Sequence, residues 1–213
     1  DLGGTVFALV EEDRIAPVTM VGQSPAANAA GWNKTDVTVT LAAADEGSGV
    51  ARTEFAVNGG SWRPYVGPIV VDHDGIYTLQ YRSVDEAGNV ERTKTARVRI
   101  DKTEPLAIAV ALPTLLLPAN RRMVDVTVLL LALDLLSGVE KLTLRSVTSD
   151  DPGMTSDDVA GWTIGTKDTR GKLRAERTAT GGRRVYTLTY RVTDRAGNEA
   201  EAVAVVVVPG ARD

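Results

Sequence analysis

Cysteine is absent from the 213 residues, histidine occurs once and phenylalanine twice. Without cysteine there are no disulfides and no thiolate metal sites, although this alone does not fix the compartment. No apolar run reaches the roughly 18 residues that a membrane-spanning helix needs. The longest, residues 126–136, is interrupted by Thr127 and Asp134. Lysine and arginine are not clustered and the net charge is -4. A nucleic-acid surface would need a basic stripe, so none is expected. No segment carries a sustained helical period. Neither a Gly-x-Ser-x-Gly stretch nor a His-Glu-x-x-His helix occurs. The lone histidine, His73 in Asp72-His73-Asp74-Gly75, reads as an exposed turn residue, and no enzyme is expected.

One stretch occurs twice. Residues 76–89 read IYTLQYRSVDEAGN and residues 185–198 read VYTLTYRVTDRAGN. Each alternates apolar and polar residues, the pattern of a half-buried strand, and then reaches an Asp-x-Ala-Gly-Asn turn. Other signals repeat in the same order. Asp13 and Asp101 each precede a proline by four residues, and Ser48-Gly49-Val50 is answered by Ser137-Gly138-Val139. Alternation places Val37, Val39, Leu41 and Ala43 on one face of a strand over residues 36–45. A glycine two residues before Tyr77, late in the repeat, resembles the tyrosine corner of immunoglobulin-like sandwiches. The expected fold class is therefore all-β: two tandem immunoglobulin-like antiparallel sandwiches.

The expected domains are residues 13–101 and 102–213, with residues 1–12 as the last strand of a preceding module in a longer array. The Asp13–Asp101 spacing is 88 residues, Asp45–Asp134 is 89 and Asp85–Asp194 is 109. About 20 additional residues thus fall within 148–182 of the second module, as a long decorated loop with an extra hairpin through 172–177. The outward residues Leu129, Leu131 and Leu133 have Thr40, Ala42 and Ala44 as counterparts. Val203, Val205 and Val207 make the last strand apolar on both faces. Three exposed leucines call for a cover, either the insertion with Trp162 and Ile164 or a neighbouring module or partner.

Both modules resemble bacterial immunoglobulin-like (Big-type) repeats of secreted and cell-surface proteins. The residues carrying this are Asp-x-x-x-Pro at each module's start, Asp-x-x-Ser-Gly-Val in its middle, and Tyr-x-Leu-x-Tyr-x-x-x-Asp-x-Ala-Gly-Asn near its end. The resemblance covers nearly all of residues 13–209. It implies a non-catalytic spacer, display or adhesion unit of a secreted or cell-surface protein. Its partners would be neighbouring modules of the same polypeptide, a glycan or a host-surface protein. Appendages of polysaccharide hydrolases share the fold, so a carbohydrate-binding accessory module is the alternative.

In that topology the first strand begins at the pole carrying two of the turns. Asp13, Asp45 and Asp85 then meet at one pole of the first module, and Asp101, Asp134 and Asp194 at the matching pole of the second. Calcium takes several hard oxygen ligands, carboxylates and loop carbonyls among them, and related repeats of large bacterial adhesins use it this way. Calcium is thus one expectation for the six aspartates. The other is that each carboxylate bonds the amides of its own turn. Trp62 and Tyr65 are candidates to stack on a sugar ring, although such a Trp more often covers the end of its own core. Arg174, Arg177, Arg183 and Arg184 bracket the insertion, as a solvated hairpin with Glu176 or as a contact for an anionic polymer.

Overall fold

The computed structural model describes residues 12–211. The strand expected over residues 6–10, and most of the segment 1–12, lie outside them. The chain forms two compact units, Asp1–Asp101 and Lys102–Asp213.

In the first unit, β1 (Val18–Ser24), β2 (Val37–Ala44) and β5 (Ile69–Val71) form one sheet in the order β1-β2-β5. The other sheet contains β3 (Val50–Val57), β4 (Arg63–Pro64), β6 (Gly75–Asp85) and β7 (Lys94–Ile100), in the order β4-β3-β6-β7. All pairings are antiparallel. Strands one, two and five facing strands three, six and seven is the immunoglobulin-like arrangement. Alternation along β2 buries Val37, Val39 and Leu41, and β6 and β7 answer with Leu79, Tyr81, Val98 and Ile100. Each fully buried aliphatic side chain contributes about 1.5–3 kcal/mol. The Tyr77 hydroxyl donates to the His73 carbonyl at 3.1 Å, a corner bond that fixes how the chain enters β6.

The second unit repeats the plan. One sheet runs β11 (Val159–Ala160), β12 (Arg170–Arg174), β9 (Met123–Leu133), β8 (Leu106–Leu112). The other runs β10 (Val139–Ser149), β13 (Arg184–Asp194), β14 (Glu199–Val208). Tyr186, Leu188, Tyr190 and Val192 alternate inward from β13 and are completely buried. Burial pushes the Tyr186 and Tyr190 phenols up to about 12. Their hydroxyls donate to the carbonyls of Arg174 and Asp168 at 3.0 and 2.9 Å.

The insertion departs from expectation in two ways. Residues 172–177 do not form a hairpin of their own. Residues 170–174 are β12, which pairs with β9 as β5 pairs with β2, and β11 adds a short outer edge. Nor does the insertion cover the leucine row: Leu129, Leu131 and Leu133 are 57%, 55% and 47% exposed. The reason is topological. The insertion extends the sheet at the edge opposite β8, and Trp162 turns to the core. Its indole lies where a side chain on residue 171 would stand, 2.3 Å from an ideal Cβ, so glycine is needed there.

Candidate metal centre

Asp13 leads into β1, Asp45 follows β2 and Asp85 ends β6. Each offers a carboxylate oxygen, and the three oxygens lie within 4.8 Å of one another. Each carboxylate also ties its own stretch of backbone. Asp13 accepts from the amides of Ile15 at 3.0 Å and Ser48 at 2.6 Å, which holds its carboxyl below the usual range. One Asp45 oxygen, Oδ2, accepts from the amides of Gly47 and Gly49 at 3.1 and 2.9 Å. Asp85 accepts from the Asn89 amide and side-chain amide, both at 2.7 Å. The same Asn89 nitrogen donates to the Asp13 carbonyl at 3.0 Å, joining the start of β1 to the end of β6. A Cβ on Gly47 would lie 2.3 Å from the Asp13 carboxyl, so the approach of Asp13 requires a glycine there.

Turn capping therefore accounts for most of these oxygens, with one exception. Asp45 Oδ1 is buried and has no hydrogen-bond partner. A buried carboxylate oxygen without a donor costs free energy. The three clustered carboxylates offer hard oxygen donors. That set fits calcium, which accepts carboxylates in irregular geometry, better than metals that select imidazole or thiolate.

The second unit reproduces the scaffold. Asp134 Oδ1 accepts from the amides of Leu136 and Gly138, and Asp194 accepts from Gly197 and from both nitrogens of Asn198. Carboxylate oxygens of these two aspartates also lie within 4.8 Å of one another. Asp101, the last residue of the first unit, is buried, and its amide donates to the Asn33 carbonyl at 2.9 Å.

The remaining candidates fall elsewhere. His73 is exposed and bonds Asp72 at 2.6 Å. Trp62 is partly exposed, with the Arg82 guanidinium 4.3 Å from its ring centre. Tyr65 packs against the core, edge-on to Phe55 at 6.5 Å. Both rings are thus engaged by their own module.

Of the arginines of the insertion, Arg183 is exposed, whereas Arg174, Arg177 and Arg184 are not the solvated hairpin expected. Arg184 is buried, with Nη2 2.7 Å from Asp158 Oδ2 and Nε 3.2 Å from Ser149 Oγ. Arg174 Nε meets the other Asp158 oxygen at 2.9 Å. Burial works against the charge on both Asp158 and Arg184. For Asp158 the Thr155 amide and the two guanidinium groups outweigh it and hold the carboxyl below its ordinary value; for Arg184 the Asp158 carboxylate outweighs it and holds the guanidinium above its own. This network forms one wall of a cavity of about 600 Å³ lined by arginines and carboxylates in equal number. Arg177 donates to the Pro209 carbonyl at the same end of the unit. A period-two reading of Arg184, Tyr186, Leu188 and Tyr190 would have placed Arg184 inward. Asp158 had no such signal. A second buried polar cluster was also silent in the sequence: Glu91 accepts from the Thr19 amide and hydroxyl and the Ser83 amide, and pairs with Lys94 at 2.7 Å.

Sheet order, turn chemistry and corner bond define a pair of immunoglobulin-like sandwiches. Residues 37–102, most of the first unit, match the family model of the bacterial Ig-like domain, the family that the motifs resemble. No curated protein matches the chain at a significant level. Among solved structures, the fibronectin(III)-like modules of Clostridium thermocellum CbhA are 16% identical, over 91% of this chain and 96% of that one, with a TM-score of 0.36. A 1.5-MDa bacterial ice-binding adhesin is 13% identical, over 89% of this chain and 63% of that one, with a TM-score of 0.42. The three N-terminal domains of the bacteriophage RB49 outer capsid protein Hoc are 10% identical, over 89% and 68%, also with a TM-score of 0.42.

Proposed function

We propose that this chain is a non-catalytic pair of immunoglobulin-like modules of a secreted or cell-surface protein, serving extension, display or adhesion, and that calcium clamps the acidic pole of the first module. Asp13, Asp45 and Asp85 hold the ion. The ion neutralises three like charges and supplies the partner that Asp45 Oδ1 lacks.

The mechanical consequence follows from where the ligands stand in the chain. Asp13 precedes β1, whereas Asp45 and Asp85 follow strands in the body of the sandwich. One ion therefore fastens the start of the first strand to both sheets. A strand at a module's end is the first to peel under tension, so a clamp there suits a load-bearing spacer. Asp134 and Asp194, on the same turn scaffold, support the reading that the second module shares this chemistry.

The single observation carrying the calcium reading is the buried, unpartnered oxygen Oδ1 on Asp45, one of three clustered carboxylates. Isothermal titration of the chelator-treated chain with calcium tests it. Saturable binding is expected, and Asp45→Asn or Asp85→Asn should weaken the first-module site on the order of tenfold or more, because affinity follows ligand charge and count. Binding that both variants leave unchanged would move the ion elsewhere, and an absence of binding would remove it.

A further inference from the structure

The cavity beside the Arg184–Asp158 network is built mostly by residues without counterparts in the first unit. Its walls come from residues 151–158 and 174–181 of the insertion, with Arg121 and Arg184 beside them. A spacer needs no such cavity. Its volume of about 600 Å³ falls in the range of roughly 300–1,000 Å³ that small-molecule sites occupy. Most such sites are lined by apolar side chains, whereas the apolar side chains here are only Ala119 and Ala179. An apolar ligand would gain little from these walls.

One wall is fixed before any ligand arrives. Each oxygen of Asp158 meets a guanidinium group, and the Thr155 amide donates to Oδ2 at 2.9 Å. Arg121 pairs with Glu176 at 3.0 Å. Two charges are left over. Arg177 donates from Nε to the Pro209 carbonyl at 2.9 Å and makes no ion pair among the described residues. Its two terminal nitrogens are therefore open to an acceptor. Asp157 is exposed; its backbone carbonyl accepts from Arg174 at 2.7 Å, and its carboxylate has no cationic partner among the described residues.

We infer that this cavity binds an acidic sugar, whose carboxylate meets Arg177 and whose hydroxyls donate to Asp157 and Glu176. The walls set two requirements. The ligand brings a negative charge for Arg177, whose planar fork suits a carboxylate by two parallel bonds. It also brings donors for carboxylates that stand on separate segments, since a carboxylate only accepts. A neutral sugar leaves Arg177 without its counter-charge. Phosphate or sulfate offers few donors, and its charge is repelled by the four carboxylates of the walls. An amino acid concentrates its donors at one ammonium. An acidic sugar carries one charge and hydroxyls around its ring. This goes beyond the calcium reading, which concerns the first unit.

The test is amide NMR of the isotope-labelled whole chain, titrated with glucuronate, galacturonate and N-acetylneuraminate, and with glucose, inorganic phosphate and glycine as comparators. Each is taken to about 50 mM, enough to saturate a site of millimolar Kd. At least one sugar acid should give saturable shifts centred on the amides of residues 151–158 and 174–182, and no comparator should bind as tightly. Arg177→Gln should weaken that sugar acid on the order of tenfold or more, because a charge-assisted pair is lost. Arg177→Lys, which keeps the charge without the fork, should fall between, and it carries the test if circular dichroism shows Arg177→Gln to be misfolded. Arg183→Gln, at an exposed arginine that does not line the cavity, should bind as the parent does. The proposal is overturned if no sugar acid shifts those amides, if glucose, phosphate or glycine binds as tightly, or if the folded Arg177 variants keep the parent affinity. None of these outcomes bears on calcium binding at Asp13, Asp45 and Asp85.

Discussion

Arg184 sits inward on β13 among tyrosines and leucines, and its charge persists there because Asp158 reaches it from the insertion. Removing Arg184 leaves Asp158 buried with the Arg174 guanidinium as its remaining ion-pair partner, and an undercompensated buried charge costs more than the pair contributes. Arg184→Met is therefore expected to destabilise the second unit by about 3–5 kcal/mol in urea unfolding. The double variant Arg184→Met with Asp158→Leu should recover much of that loss. The same carboxylate predicts a pH response. Asp158 titrates below its ordinary value in the folded unit, so its stabilisation is complete above that value and is lost as the pH falls through the folded value. Glu91 is depressed likewise: burial opposes its charge, and Lys94 and Thr19 outweigh that. Thermal midpoints should thus fall as the pH drops below about 4, and Asp158→Asn should flatten the part due to the second unit. At this scale the sequence was uneven. The turn aspartates announced themselves because Asp before Ser-Gly or Ala-Gly-Asn has a local bonding geometry. The partners of Arg184 and Glu91 lie 26 and up to 72 residues away, and no local pattern encodes such distances.

Among the elements, the strands were the most legible part. Alternation fixed the inward faces of β2, β6, β9 and β13, since a period of two leaves only one choice of buried face once a core exists. The insertion was not legible, because its Asp-, Gly- and Thr-rich sequence carries no period. That β12 would join β9 depends on a neighbour with free backbone groups, which sequence spacing does not reveal. A single glycine records the result. Gly171 lies under the Trp162 indole, and a Cβ there would meet the ring at 2.3 Å. Gly171→Ala should therefore cost about 1–3 kcal/mol by overpacking, read from urea unfolding followed by tryptophan fluorescence. Gly67, around which a Cβ would meet nothing within 4 Å, is the control: Gly67→Ala should be close to neutral. The leucine row of β9 is outward, as its alternation predicts, and of the two covers expected for it the insertion is not one. The insertion sits on the far edge of the sheet, so β8 and β9 keep a free aliphatic face.

For the whole molecule, the same acidic turn scaffold occurs in each unit, and the role proposed for the first is to hold calcium. Three carboxylates close together, one with an oxygen that nothing satisfies, form a pole that a bound cation would stabilise. A ligand that binds only the folded state at a hundred times its dissociation constant adds about 2.7 kcal/mol. For a unit of about 100 residues that is a rise on the order of 10 °C in melting temperature. The most direct measurement is calorimetric melting of the chain in chelator and then in increasing calcium, at a fixed pH near neutrality. A saturable rise on that order is expected, largely lost with Asp45→Asn. Melting curves that superimpose in chelator and in saturating calcium would contradict it.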